Sequence, residues 1–354
     1  MSVSFDKKDG NVVVVIGTGP GGGVLASELA QKGVKVVALE AGGRHGPEDF
    51  VNDEWASFGQ ISWLDSRSTS GSWRVAKDFS GLPAWIVKGV GGSSQHWAGA
   101  SLRFQEHEWK TQTVYGNVTG ASLLDWPIDA KTMDPYYTKA EEKLRVTRTG
   151  GRKGLPGNNN YKVFEAGAKK LGYKDVHTGR MAINSKDYDD FVACQQTGFC
   201  FQGCKWGAKW SAGYNEIPVG EATGNLEVRI NSQALKIEHD ASGKVTGVIY
   251  ADADGKQHVQ KARIVCVAGN SIESPRLLLN SASSMFPDGL ANSSGQVGRN
   301  YMRHMTGSVY ATFDKPVKMW RGTTMAGIIQ DEARHDPSRG FVGGYELETL
   351  SLGI

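Results

Sequence analysis

Five consecutive apolar residues, Val12-Val13-Val14-Val15-Ile16, follow a short charged start. An unbroken β-branched run predicts a strand covered on both faces, as in a parallel sheet. Gly17-Thr18-Gly19-Pro20-Gly21-Gly22 comes next, and the apolar positions Val24, Leu25, Leu29 and Ala30 then predict a helix from Val24 to Lys32. Gly33 ends that helix, and Val34 to Leu39 predicts a second strand running into Glu40. Further along, strands are predicted at Leu226 to Ile230 and Ile264 to Val267, with a hairpin from Val245 to Val259 turning at Asp254-Gly255. Another helix contains Ala140-Glu141-Glu142. Gly150 to Asn160 reads as an exposed loop, and Asp53 to Phe79 as a long excursion rich in Ser and Trp.

The turn after the first strand has the spacing G-x-G-x-x-G at Gly17, Gly19 and Gly22. Gly17 permits a tight turn, Gly19 lets backbone approach a pyrophosphate, and Gly22 allows close helix–strand packing. The helix start then offers free N–H groups and a positive dipole end to phosphates. Glu40, at the end of the second strand, is placed to accept from ribose hydroxyls. An acid there, rather than an arginine, argues against a 2′-phosphate. This motif by itself leaves FAD and NAD equally open.

Composition narrows the class. The 46 glycines among 354 residues form no repeat, against a usual share of ~7%, and read as turns and close backbone approaches. Net charge is +3 with the basic residues scattered, so nucleic-acid binding gains no support. No stretch approaches the ~20 apolar residues of a membrane span. Met1 to Asp9 does not read as a secretory signal. A cytoplasmic protein is expected, or one exported with a partner.

Several later segments occur in a fixed order: Val90-Gly91-Gly92-Ser93-Ser94-Gln95-His96-Trp97, Asp125-Trp126-Pro127-Ile128, Val267-Ala268-Gly269-Asn270, Glu273-Ser274-Pro275-Arg276-Leu277 and Gly298-Arg299-Asn300. Together with the nucleotide-binding start, this set resembles the glucose–methanol–choline (GMC) oxidoreductases. Among them it is most similar to the large subunits of bacterial gluconate, fructose, sorbitol and glucose dehydrogenases. The resemblance implies FAD, held by Gly17, Gly19, Gly22, Glu40 and Ala41. It places Gly91, Gly92, Ser93 and Ser94 in a loop passing the flavin, Ala234 at the adenine, and Ala268 and Gly269 at a second approach to the cofactor. It puts His96 where some relatives attach the flavin covalently, the alternative being a stacking or hydrogen-bonding histidine. Asn300 matches a segment near the flavin–substrate boundary, although a plain turn explains it nearly as well.

Cys194, Cys200 and Cys204 stand at the spacing C-x5-C-x3-C. Three thiols so close in sequence could converge on one iron–sulfur cluster. A structural thiol, a disulfide in an oxidising compartment, or zinc with an unseen fourth ligand are the other readings. The resemblance implies a 3Fe-4S cluster that passes single electrons to a cytochrome. Cys266, in a predicted strand, reads as a core thiol.

The implied fold is α/β: a Rossmann-like FAD-binding domain of the GMC type with an inserted region and the start of an antiparallel-sheet substrate domain. Residues 1–130 and 220–312 are expected to build the FAD-binding domain. Residues 131–219 form the insertion with the cysteines, and 313–354 begin the substrate domain. The family's catalytic histidine has no counterpart here and is expected C-terminal to Ile354, so the chain reads as truncated. His107, His177 and His335 are expected at the surface. The activity implied is oxidation of a CH–OH group on a sugar, polyol or sugar acid, with oxygen-using alcohol oxidases and a noncatalytic flavin-binding fragment as alternatives. The implied partners are a small subunit and a cytochrome c subunit. They would place the protein on the periplasmic side of the inner membrane, the membrane being reached only through them.

Overall fold

The computed structural model describes residues 3–53, 56, 86–188, 190–302 and 304–351. The Asp53 to Phe79 excursion therefore lies almost wholly outside the described residues. The strands are β1 (Val13–Ile16), β2 (Val36–Leu39), β3 (Val176–His177), β4 (Leu226–Arg229), β5 (Gln233–His239), β6 (Val245–Ala251), β7 (Gln257–Lys261), β8 (Ile264–Val267), β9 (Met325–Ile329) and β10 (Leu347–Leu350). The α-helices are α1 (Pro20–Gln31), α2 (Thr111–Tyr115), α3 (Ala130–Lys143), α4 (Asn159–Lys170), α5 (Ile217–Ala222) and α6 (Asn270–Asn280). No helix among the described residues is long and apolar enough to cross a membrane. The chain divides into two compact units, residues 1–96 with 211–311 and residues 97–210 with 312–354.

The first unit is built on a parallel sheet of order β4-β2-β1-β8. Its inner strands are apolar throughout because both faces are covered. Val12, Val14, Ile16, Val37 and Leu39 point to one face and pack with Ile237, Val248 and Tyr250 of the antiparallel β5-β6-β7 sheet. Val13, Val15, Val36 and Ala38 point to the other and meet Ala26 and Ala30 of α1 and Ile217 of α5. The period-two alternation of a strand thus feeds two cores from one run of valines. Cys266 packs half-buried against the second of these clusters. It is less enclosed than a core thiol because β8 is the edge strand of the sheet.

The second unit carries α2, α3, α4 and a small antiparallel sheet of order β10-β9-β3. Its ionic centre is Glu141 on α3, buried at 4% exposure, which accepts from Arg103 Nε at 2.8 Å and Nη2 at 2.5 Å, from Arg180 at 2.8 Å and from Thr149 at 2.8 Å. Gly150 to Asn160 is not simply an exposed loop. Leu155 is buried, and Asn158 caps α4 by accepting from Tyr161 N at 2.8 Å while donating to Ser351 Oγ at 3.0 Å.

The unit boundaries differ from those expected. The first crossing comes after His96, well before residue 130, because Ala182 N donates to Gly99 O at 2.7 Å and Ser101 N to Arg180 O at 2.8 Å. These pairings tie the segment after the glycine loop to residues 180–183. The return comes at Ser211 rather than 220, where Ser211 Oγ lies 3.0 Å from Ser94 Oγ. Long-range contacts mark both positions, backbone pairing at the first and a serine pair at the second, and composition carries no trace of them.

Candidate functional site

The first unit holds a cavity of about 560 Å³ above the C-terminal ends of β1, β2 and β8. Gly17, Gly19, Glu40, Ala41, Gly92, Ser93, Ala234, Ala268 and Gly269, all singled out from the sequence, line it. This is where ligands bind in parallel sheets. The start of α1 faces it: a Cβ on Gly21 would meet nothing within 4 Å, and one on Gly19 only Gly92 Cα at 3.9 Å. The N–H groups there are open to an anion. Gly22, Gly91, Ser94 and His96 are not among the residues that line the cavity.

Glu40 is wired more heavily than its sequence position suggests. Oε2 accepts from Thr18 N at 3.0 Å and Thr18 Oγ1 at 2.6 Å, while Oε1 accepts from Gly42 N at 3.0 Å and Gly89 N at 3.1 Å. These four donors occupy the lone-pair positions of a carboxylate. A ribose hydroxyl arriving here has to share or replace one of them. Burial pushes the carboxyl above its ordinary value, against the hydrogen bonds from Thr18, Gly42 and Gly89.

The second glycine loop is held from behind. Gly91 sits at φ +100°, and a Cβ there would lie 2.7 Å from Gly213 N. Ser94 Oγ donates to Gly91 O at 2.5 Å and accepts from Ala212 N at 3.2 Å, so Ser94 acts on the loop's shape. His96 is buried with its ring edge-on to Phe50 at 6.1 Å.

In the second unit, Cys194 and Cys200 pack beside Leu155, Met181 and Ile183, and all three cysteines of the triplet are free thiols. Burial drives Cys194 up to about 12, helped by Cys200 and Cys204. Burial also raises Cys200, against Lys209 and hydrogen bonds from Thr324. Lys209, 1% exposed, donates through Nζ to Trp97 O and Cys200 O, both at 2.7 Å, and its backbone N lies 3.4 Å from Cys204 Sγ. Burial lowers its ammonium to about 8, opposed by Cys200 and Cys204. Among the described residues no group of three His, Cys, Asp or Glu side chains is gathered to hold a single metal ion.

The family model of the GMC oxidoreductases matches residues 71–306, about two-thirds of the chain. The chain belongs to the GMC oxidoreductase family. It is 28% identical over 342 residues to the fructose dehydrogenase large subunit of Gluconobacter japonicus, covering 88% of this chain and 61% of that protein. To 2-methyl-1,2-propanediol dehydrogenase of Mycolicibacterium austroafricanum it is 30% identical over 368 residues, covering 98% and 64%. To the gluconate 2-dehydrogenase flavoprotein of Pantoea cypripedii it is 24% identical over 388 residues, covering 94% and 63%. The chain thus spans less than two-thirds of the length of these curated relatives. Among solved structures, pyridoxine 4-oxidase from Mesorbium loti shares the fold at a TM-score of 0.53 and 16% identity, with 77% of this chain and 52% of that one covered.

FAD is the cofactor this family implies, and the residues present fit it. The cavity has a helix start left open by glycines at one side, an acid at the end of β2, and small residues at Ala234, Ala268 and Gly269 around it. A three-iron cluster would find thiols, its usual donors, at Cys194, Cys200 and Cys204, and the last two lie close enough to Cys194 to help raise its pKa. Its ligand sulfurs need not converge on one atom as those of a single ion must.

Sequence reasoning missed part of the cavity wall. Lys88, Gln233, Asn270, Glu273, Arg276 and Asn280 also line it, with Arg276 Nη1 3.0 Å from Glu273 Oε1. A readable signal existed: the helix carrying Glu273 and Arg276 opens directly after Ala268-Gly269. Asn300 stands in the left-handed region at φ +59° and donates to Gln296 Oε1 at 3.0 Å, the geometry of a turn. His107 is buried rather than at the surface, its ring edge-on to Tyr115 at 6.1 Å, and His177 and His335 are half-buried.

Proposed function

We propose that this chain is the nucleotide-binding part of an FAD-dependent dehydrogenase that oxidises a CH–OH group of a sugar, polyol or sugar acid. Electrons leave by single-electron transfer through a 3Fe-4S cluster at Cys194, Cys200 and Cys204. FAD supplies the hydride acceptor. The chain's own residues would bind and orient it: amides of the α1 start would meet the pyrophosphate, Ala234 the adenine, and Gly92 and Ser93, in the loop shaped by Gly91 and Ser94, the flavin. No residue of this chain is assigned a catalytic role. The partners are a small subunit and a cytochrome c subunit on the periplasmic side of the inner membrane. The observation that carries the reading is the cysteine triplet with its buried ammonium, in a chain that also has the FAD cavity.

The test is turnover of the natively purified protein, with its companion subunits, on a panel of sugars, polyols and aldonic acids. Reduction of a one-electron dye about tenfold or more faster than consumption of oxygen is expected. Faster oxygen consumption would establish the alcohol-oxidase reading instead, and flavin unreduced by every alcohol would leave a noncatalytic flavin-binding role. Cys194→Ser, Cys200→Ser or Cys204→Ser is expected to remove the paramagnetic iron signal and leave the flavin bands. His96 is buried and packs edge-on against Phe50, and the flavin is expected to be noncovalent. Acid precipitation should then release yellow colour to the supernatant, whereas a coloured pellet would make His96 an attachment point.

A further inference from the structure

Lys209 is the charged group built into the cysteine site. It is 1% exposed, and taking an ammonium out of water carries a large desolvation cost that its surroundings must offset. Those surroundings include the cysteines themselves. The Nζ is anchored on Cys200 O at 2.7 Å, the residue's own N–H points at Cys204 Sγ at 3.4 Å, and the ammonium interacts electrostatically with both thiols. A second anchor, Trp97 O at 2.7 Å, fixes where the charge sits. Charges and hydrogen bonds around the sulfurs are among the factors that set the potential of an iron–sulfur cluster.

We infer that Lys209 is a positioning and tuning residue for the cluster: its fixed positive charge beside Cys200 and Cys204 raises the reduction potential, so that the cluster accepts electrons from the flavin readily. The inference rests on the cluster reading proposed above. A purely structural lysine would hold the loop without moving the potential, and that difference is measurable.

The experiment is a potentiometric titration, followed by electron paramagnetic resonance, of the native protein and its Lys209→Met and Lys209→Arg variants at neutral pH. For Lys209→Met the one-electron reduction equilibrium is expected to shift tenfold or more towards the oxidised cluster, which is about 59 mV lower in potential. Lys209→Arg keeps the charge and is expected to stay within about threefold of the parent, a fraction of that shift. An unchanged midpoint in Lys209→Met would overturn the inference while leaving the cluster in place. Should Lys209→Met fail to fold, Lys209→Gln decides: it is equally neutral but keeps a donor for Trp97 O or Cys200 O, so a tenfold shift towards the oxidised cluster supports the role of charge, and an unchanged midpoint contradicts it. A parent protein without any iron signal would remove the cluster reading itself, and with it this role for Lys209.

Discussion

Gly22→Ala is expected to leave the protein without flavin. A Cβ at this position would lie 2.0 Å from Gly17 O and 3.0 Å from Ala268 Cβ, and the first of these is backbone that cannot rotate away. Relief requires α1 to lift from β1 or the Gly17 turn to move. Either change displaces the amides that face the cavity, and the second also pulls Thr18 from Glu40, to which it donates through N at 3.0 Å and Oγ1 at 2.6 Å. The cost to stability is about 3 kcal/mol, at the upper end of single substitutions. The readouts are the flavin-to-protein ratio and the thermal midpoint. Gly167→Ala is the control: it lies exposed within α4, nothing stands within 4 Å of its Cβ position, and the change is expected to stabilise by up to about 1 kcal/mol.

Glu141→Ala is the second large effect, on the other unit. Removing the carboxylate strands Arg103 and Arg180, which both reach it, together with the Thr149 hydroxyl. The loss is expected near about 3 kcal/mol, the low end for breaking a buried pair, because the arginine side chains keep 22% and 37% of their exposure. Burial alone would raise the Glu141 carboxyl, yet hydrogen bonds from Arg103 and Thr149 and the two guanidinium charges hold it below its ordinary 4.5. A carboxyl depressed on folding contributes stability above its unfolded value and loses it as pH falls through the folded value. The parent should therefore lose stability below about pH 4.5, and Glu141→Gln should show a flatter acid limb in denaturant midpoints measured against pH.

The nucleotide-binding start was legible because local signals agreed there. A run of valines, glycines at fixed spacing and an acid after the second strand all act over a few residues, and β1, β2 and β8 lie within about two residues of where the pattern puts them, whereas α1 starts at Pro20, inside the glycine turn, rather than at Val24. What was hidden depends on distant partners. Helix α4 starts inside a segment rich in Gly and Asn, and its cap, Asn158, is held by Ser351 from the far end of the chain. His107 is buried by ring packing that no motif announces.

The candidate site divides in the same way. The small residues that leave room for a cofactor could be named from sequence, since room follows from residue type. The engagement of Glu40 could not, because one of its four donors, Gly89 N, belongs to a separate loop. The cysteine spacing suggested a cluster, whereas the placement of Lys209 between Trp97 O and Cys200 O required the fold. Sequence patterns report which groups are available, and the fold decides which of them are already occupied.

The most direct measurement is the visible absorption spectrum of the natively purified protein before and after addition of FAD. Flavin bands are predicted, overlaid by the broad absorbance of an iron–sulfur cluster. A protein that shows no flavin bands and acquires none with added FAD would contradict the assignment of the cavity at the start of α1 to this cofactor.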